Sequence, residues 1–364
     1  MRDFVRKECA PHMPEWEKAG EVPRSLHEKA AALGILGASY PVEVGGLGGD
    51  LFTGAVVTEE LIGNGGSSGL AAALMGHGIA VPHMIASGNQ DLIDRFVRPT
   101  LAGKKIGSLA ITEPNTGSDV ASLSTRAERN GDHYIVNGAK TFITGGCRSD
   151  FVTTAVRTGG EGHHGVSLLV IERGMPGFAV ARKLDKMGWL CSDTAELSFQ
   201  DVRVPVANLI GEEGTGFYQI MRNFVTERIG LAVHAYAIAQ RCLDLAISWS
   251  RERKTFGKPL THRQVIRHKL AEMARQTEVA REYTRSVSER WMKGEDMTLQ
   301  AAYAKNTAVK ACDFVTYEAV QIFGGTGYMR ESEVERHFRD ARILSIGGGA
   351  TEIMNEVIAA RIGL

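Results

Sequence analysis

A carboxylate set into an apolar helical stripe is costly to bury, and the stretch after residue 216 carries one. Phe217, Ile220, Phe224, Glu227 and Leu231 recur at intervals of three and four, so a helix places them on one face. A glutamate held there without a partner loses solvation. Its pKa rises, and it becomes a competent general base near neutral pH. The alternative is a helix-surface glutamate salt-bridged to a neighbour.

Four other segments have residue types suited to ligand binding. Ala110-Ile111-Thr112-Glu113-Pro114-Asn115-Thr116-Gly117-Ser118-Asp119-Val120 offers backbone and hydroxyl donors in a tight loop, fit for a phosphate or a polar ring edge, or for an Asx-type turn. Asn137-Gly138 followed by Lys140, Phe142 and Thr144 reads as a β-hairpin signal. Arg251-Glu252-Arg253-Lys254-Thr255-Phe256-Gly257, with Gln264 beyond, could hold a pyrophosphate through its guanidinium, or complement a helix dipole. Gln321-Ile322-Phe323-Gly324-Gly325-Thr326-Gly327-Tyr328 permits close backbone approach to a ligand, or a corner.

Other patterns fail on context. Gly65-Gly66-Ser67-Ser68-Gly69 satisfies G-x-S-x-G, but the segment before it is helical rather than a strand, so it reads as an interhelical loop. His163-His164 lies in a glycine-rich stretch with no third ligand suggested nearby, and no metal is expected. The five cysteines are dispersed, without C-x-x-C spacing, and read as reduced thiols.

The elements that must position these residues fall in three zones. Residues 1–106 read mainly as helix, with Leu26, Ala30 and Leu33 at helical spacing before Gly34. Residues 107–213 hold short β-branched runs, among them His133–Gly138, Phe151–Val156, Val166–Glu172 and Ala195–Phe199, and predict an antiparallel sheet or barrel. Residues 214–364 return to helix at about 215–253, 262–292, 297–323 and 351–361. The class is α+β. Strands do not alternate with helices and no G-x-G-x-x-G follows a strand, which excludes a Rossmann domain. Lys+Arg and Asp+Glu are both 42, so neither nucleic acid nor an anionic membrane is an expected partner. No run reaches membrane-helix length, and Met1–Glu8 lacks a secretory apolar core and carries acids, so a soluble cytoplasmic protein is expected.

Taken in order, the motifs resemble the acyl-CoA dehydrogenase family: P-x-E-x-G-G-L-G-G (Pro41–Gly49), T-E-P-x-x-G-S-D, N-G-x-K-x-x-I-T, S-D-T-x-E-L-x-F-x-D-V-x-V-P (Ser192–Pro205), R-K-T-F-G, Q-x-x-G-G-x-G and a C-terminal G-G-x-x-E-I. The resemblance implies an N-terminal helical domain, a middle β domain and a C-terminal four-helix bundle, with FAD between the latter two. By that likeness Leu109, Ile111 and Thr112 would line the flavin, Gly117 and Ser118 would meet its pyrophosphate, and Phe142 and Thr144 would flank its ring. Phe142 stands where the family usually has Trp, which keeps the ring but loses an indole N–H. Arg253, Phe256, Gln264, Gln321 and Gly325 would reach the FAD of a second subunit. Ser118, Phe224 and Arg228 would touch acyl-CoA.

In many members the base is a glutamate in the C-terminal loop, where this chain has Gly348 within Gly347-Gly348-Gly349-Ala350. The resemblance moves the role to Glu227, the position used by isovaleryl- and long-chain-type members, which also have glycine in the loop. Gly348 would keep a backbone N–H for the thioester oxygen. The small loop suggests room for a branched or longer acyl chain. The implied activity is α,β-dehydrogenation of an acyl-CoA to a trans-2-enoyl-CoA. Electrons would pass to an electron-transferring flavoprotein from a homotetramer built of dimers. The rivals are an oxidase or flavin monooxygenase of the same fold and a catalytically silent acyl-CoA binder. Further helix ahead of Arg2 is also implied.

Overall fold

The first hundred residues fold as short helices whose ends follow local chemistry. The computed structural model describes all 364 residues. Helix α1 (Arg24–Ala32) buries Leu26 and Ala30, but Leu33 falls at its C-cap and is exposed, because Gly34 turns left-handed (φ +73°) and ends the helix. Helix α2 (Leu51–Gly63) starts at a capping box: the Asp50 carboxylate accepts from Thr53 N–H at 2.9 Å, and the Thr53 hydroxyl accepts from Asp50 N–H at 3.3 Å. Helix α3 (Ser68–Met75) is capped by Ser67, which accepts from Leu70 N–H at 3.0 Å. The G-x-S-x-G match is therefore the turn between α2 and α3, as its helical context requires. No single helix is long and apolar enough to cross a membrane.

Seven strands form the central sheet: β1 (Gly107–Ala110), β2 (Arg126–Asn130), β3 (His133–Thr144), β4 (Phe151–Arg157), β5 (Val166–Glu172), β6 (Phe178–Lys183) and β7 (Thr194–Pro205). Their order is β1-β4-β2-β3-β7-β6, with β5 paired to β4. The sheet is mixed rather than purely antiparallel. β1 runs parallel to β4, and a parallel bridge joins Arg126 to Arg157. The physical reason is that β1 leads into a long loop rather than a hairpin, and parallel strands need such a crossover. The Asn137-Gly138 hairpin signal also reads differently in three dimensions. β3 is continuous through it, and Gly138 (φ +148°) sits at a bulge against β7, where a Cβ would meet Thr125 Oγ1 at 2.6 Å. The hairpin turn is instead at Gly131-Asp132, between β2 and β3.

The T-E-P and N-G-x-K motifs meet in one buried ion pair. Lys140 Nζ lies 2.8 Å from Glu113 Oε1 and donates to the Ile111 carbonyl at 2.9 Å. The Glu113 carboxylate also accepts from Ser124 N–H, the Ser124 hydroxyl and Thr125 N–H at 2.7–2.9 Å. Burial opposes its ionisation, but Lys140 and these donors outweigh that and hold it below the usual carboxylate range. Thus the loop between β1 and β2 is pinned at both ends to β3.

Helices α4 (Gly216–Glu252), α5 (Gln264–Met292) and α6 (Thr298–Phe323) pack on one another. α7 (Glu333–Ala341) and α8 (Thr351–Arg361) pack on α6, and α2 closes on α4 from the N-terminal side. The sequence placed four of these helices and missed α7, whose apolar positions are interrupted by charge. A polar joint ties the ends to the middle. Buried Asp340 accepts from Gly69 N–H at 3.2 Å and Trp189 N–H at 2.6 Å, and the Trp189 indole donates to Ser68 Oγ at 3.0 Å. That leaves the Ser68 hydroxyl proton for His234 Nδ1, 2.9 Å away, so Ser68 is a buried strut and not a nucleophile.

Removing one member of a buried ion pair strands the other charge. Glu113→Ala is expected to cost about 3–5 kcal/mol. That appears as a fall of roughly 10 °C in the thermal midpoint, and a fall under about 2 °C would show that the pair does not anchor the loop.

Candidate active site

Helix α4 faces its stripe toward the loop after β1 and, at Glu227 and Leu231, toward Gly348, and this half-buried face forms a slot. Ile220 is buried, whereas Phe217, Phe224, Glu227 and Leu231 are half-buried. Phe217, Phe224 and Ile111 border one apolar cluster that contains Ile220, Val97 and Phe151, so the start of α4 rests on the loop that follows β1. Glu227 keeps partial solvent access by surface area, yet protein surrounds its carboxylate. Burial pushes its pKa up to about 7, against the opposing pull of Arg228 and Lys305. No cationic nitrogen lies within 4.0 Å of it, which removes the salt-bridged alternative.

Gly348 faces that carboxylate. It adopts φ +62°, and a Cβ there would stand 2.3 Å from Leu231 Cδ1 and 3.3 Å from Glu227 Oε1. Gly349 follows at φ +93°, where a Cβ would meet Met354 Cε at 2.6 Å. Glycine is required twice in succession, for backbone conformation and for close approach. A bare glycine is therefore not by itself open space: Leu231 Cδ1 and Met354 Cε lie where the first side-chain atoms at 348 and 349 would go.

Arg228, next to Glu227, is buried with its guanidinium carbon 5.8 Å from the Phe224 ring centre. Its Nε has no hydrogen-bond partner. A buried charged donor without an acceptor is costly, and fits a site completed by a ligand. One turn before Glu227, Asn223 Nδ2 lies 2.7 Å from His83 Nδ1, and burial lowers that histidine's pKa to about 4. Sequence reasoning missed this pair and Lys305, which is fully buried on α6. Lys305 had a readable signal, since it interrupts the alanine stripe Ala301, Ala304, Ala308.

A second group gathers at the sheet. Leu109 lies in β1, with Ile111 and Thr112 half-buried just beyond it. The Thr112 carbonyl accepts from Thr141 N–H at 2.9 Å, which brings these residues against Phe142 and Thr144 of β3. Phe142 occupies a register shift between Lys140 and Ile143, has φ +60° and is 68% exposed. A left-handed backbone costs a bulky residue roughly 1–2 kcal/mol, and exposing the ring adds to that, so the sheet holds an aromatic face outward for something to cover. Gly117 and Ser118 are exposed in the adjoining loop.

The third group is distant. Arg253 ends α4, 26 residues past Glu227, or about 39 Å along the axis at 1.5 Å per residue. Phe256 and Gly257 form the turn of a small hairpin, with φ +49° and +76°. Phe256 is 97% exposed, and the Arg263 guanidinium lies 5.5 Å from its ring centre. Gln264 opens on a cavity of about 500 Å³ that includes His268, Lys269 and Phe314, and Gly325 lines another of about 460 Å³. Gln321 is exposed nearby in sequence. Within one chain Arg253 cannot serve the slot that holds Glu227.

Family descriptions match along the chain: "Acyl-CoA dehydrogenase, N-terminal domain" over residues 1–104, "middle domain" over 108–202 and "C-terminal domain" over 214–363. The mitochondrial long-chain specific acyl-CoA dehydrogenase of Sus scrofa is 40% identical over 366 residues, covering 100% of this chain and 84% of that protein. The crystal structure of a probable acyl CoA dehydrogenase from Mycobacterium abscessus superposes with a TM-score of 0.99 at 66% identity, covering 100% of this chain and 96% of that one. The butyryl-CoA dehydrogenase of Megasphaera elsdenii superposes with a TM-score of 0.95 at 38% identity, over 99% and 95%. With all three regions matched in order and a close relative spanning its whole length, the chain belongs to the acyl-CoA dehydrogenase family.

Proposed function

We propose that this enzyme oxidises an acyl-CoA thioester to its trans-2-enoyl-CoA, with Glu227 as the base that removes the α-proton. The observation that carries the reading is the unpaired Glu227 carboxylate, enclosed beside Gly348 and raised to about 7. A carboxylate near the working pH combines basicity with a usable ionised fraction. The Gly348 backbone N–H would hold the thioester oxygen and stabilise the developing enolate charge. Arg228 and Phe224 would border the acyl-CoA beside the base, and Ser118 would meet it at the exposed loop.

The residues fit FAD as the cofactor. Leu109, Ile111, Thr112, Phe142 and Thr144 form one face with an outward aromatic, and the Gly117-Ser118 loop offers donors for a pyrophosphate. Bound FAD would accept the hydride from the β-carbon. The separation of Arg253 from the slot supports its place, with Phe256, Gln264, Gln321 and Gly325, on the cofactor of a second subunit. The assembly we infer is a homotetramer of dimers that passes electrons to an electron-transferring flavoprotein in the cytoplasm. The similar proteins include one with a long-chain and one with a butyryl name, and the glycine loop does not decide between them. Acyl-CoA added anaerobically to the flavin-loaded protein should bleach its visible spectrum, with slow recovery in air. Fast recovery would mean an oxidase, and no bleaching a silent binder.

Glu227→Gln should retain flavin and lose at least a hundredfold in bleaching rate, while the wild-type rate climbs with pH and levels off above about 7. The same substitution has a stability consequence of opposite sign. A carboxyl whose pKa is raised on folding disfavours the folded state above that pKa, by no more than ~3 kcal/mol, and has no effect well below the unfolded value. The variant's thermal midpoint should therefore exceed the wild type's at pH 8 and match it at pH 4. A loss below tenfold in rate with equal midpoints at pH 8 would refute the assignment.

Arg253→Ala should weaken flavin retention and the dimer together. Full occupancy after dialysis, with an unchanged elution volume, would remove Arg253 from the subunit interface.

A further inference from the structure

Lys305 is an ammonium group placed where an alanine would pack. Its neighbours along α6 are the buried residues Ala301, Ala302, Ala304 and Ala308, and the lysine itself is 0% exposed. An ammonium without a carboxylate is among the most costly groups to bury, and no carboxylate oxygen lies within 4.0 Å of it. Its hydrogen bond goes to the Gly349 carbonyl, in the loop that faces Glu227. The next residue, Asn306, donates to the Thr351 carbonyl at 3.3 Å and to Asn355 Oδ1 at 3.0 Å, so α6 grips both the loop and the start of α8.

The loop's other ties are local: Gly347 N–H donates to the Ile343 carbonyl at 2.8 Å, and the Thr351 hydroxyl to the Ser345 carbonyl at 3.4 Å. Gly347, Gly348 and Gly349 carry no side chains, two of the three are left-handed, and glycine has the largest backbone freedom to lose. The charged groups that act on Lys305 are Arg228 and Glu227, both from α4, while the loop contributes backbone alone. Burial lowers the lysine to about 8, with Arg228 adding to the fall and Glu227 opposing it, so it remains cationic at neutral pH.

We propose that Lys305 is a positioning residue for the base: its buried ammonium ties the Gly349 carbonyl so that Gly348 stays against Glu227, and that tie sets a cation one residue from the glycine that faces the carboxylate. The inference rests on the reading of Glu227 as the base. Two effects then come from one side chain, and they separate by substitution. Glutamine keeps an N–H for the carbonyl and removes the charge, methionine removes both, and arginine keeps both.

The test measures the Glu227 carboxyl directly by infrared difference spectroscopy across pH, using the flavin-loaded enzyme without substrate and Glu227→Gln to identify the band. Anaerobic bleaching rates run in parallel. Lys305→Gln and Lys305→Met should move the carboxyl midpoint upward by about one pH unit, the lower end expected for loss of a nearby opposite charge. Lys305→Arg should leave it within a few tenths. Bleaching at pH 6.5 should fall about tenfold in Lys305→Gln, further in Lys305→Met, and recover with pH in Lys305→Gln alone. An unmoved midpoint in Lys305→Gln overturns the inference, as does a slow Lys305→Arg variant with a normal midpoint, since either would leave Lys305 a packing residue. If Lys305→Met does not fold, the glutamine and arginine variants decide the matter. A wild type with no Glu227-dependent band that titrates would refute the base assignment instead, which keeps the two failures distinct.

Discussion

The organising constraint of this molecule is an ionisable carboxylate kept out of water without an ion-pair partner. Glu227 sits on α4 among half-buried apolar residues, and burial, opposed by Arg228 and Lys305, carries its pKa to about 7. Folding would be easier with leucine there, a cost that fits the proton-abstracting role proposed for this residue. The surrounding arrangement follows from that choice. Arg228 and Lys305 temper the desolvation without touching the carboxylate, and paired glycines let a backbone segment stand beside it. Closer cations would bring Glu227 back toward an ordinary carboxylate and weaken it as a base.

The loop shows how position and volume trade against each other. An absent side chain at 348 looks like empty space in a sequence, and the structure fills it with Leu231. What glycine supplies is backbone access at φ +62°, not a wider pocket. A polar pair, Asn223 with His83, joins α4 to the N-terminal helices one turn before Glu227.

Much of the fold was legible because its long helices are strongly periodic: α4, α5, α6 and α8 lie within two residues of their expected ends. Glu227 was legible for the same reason, as a charge on an apolar stripe. The sheet was harder to read. β1 pairs with a strand far along the chain, and no local pattern announces a parallel partner. Asn137-Gly138 carries the chemistry of a turn, but a close approach to Thr125 fixes it as a bulge. Glu113 and Lys140 each looked like part of a loop or hairpin, and only the fold makes them a pair. Lys305 was visible as a lysine among alanines, yet its role depends on a loop 44 residues away.

The central claim, that Glu227 takes the α-proton, is tested most directly by isolating that step. An acyl-CoA with hydrogens on its α-carbon but none on its β-carbon can be deprotonated and cannot be oxidised. Incubated in heavy water with the flavin-loaded enzyme and followed by NMR, its α-hydrogens should exchange with wild type, and at least ~100-fold more slowly with Glu227→Gln. Equal exchange by the two proteins would contradict the account, because another group would then be removing the proton.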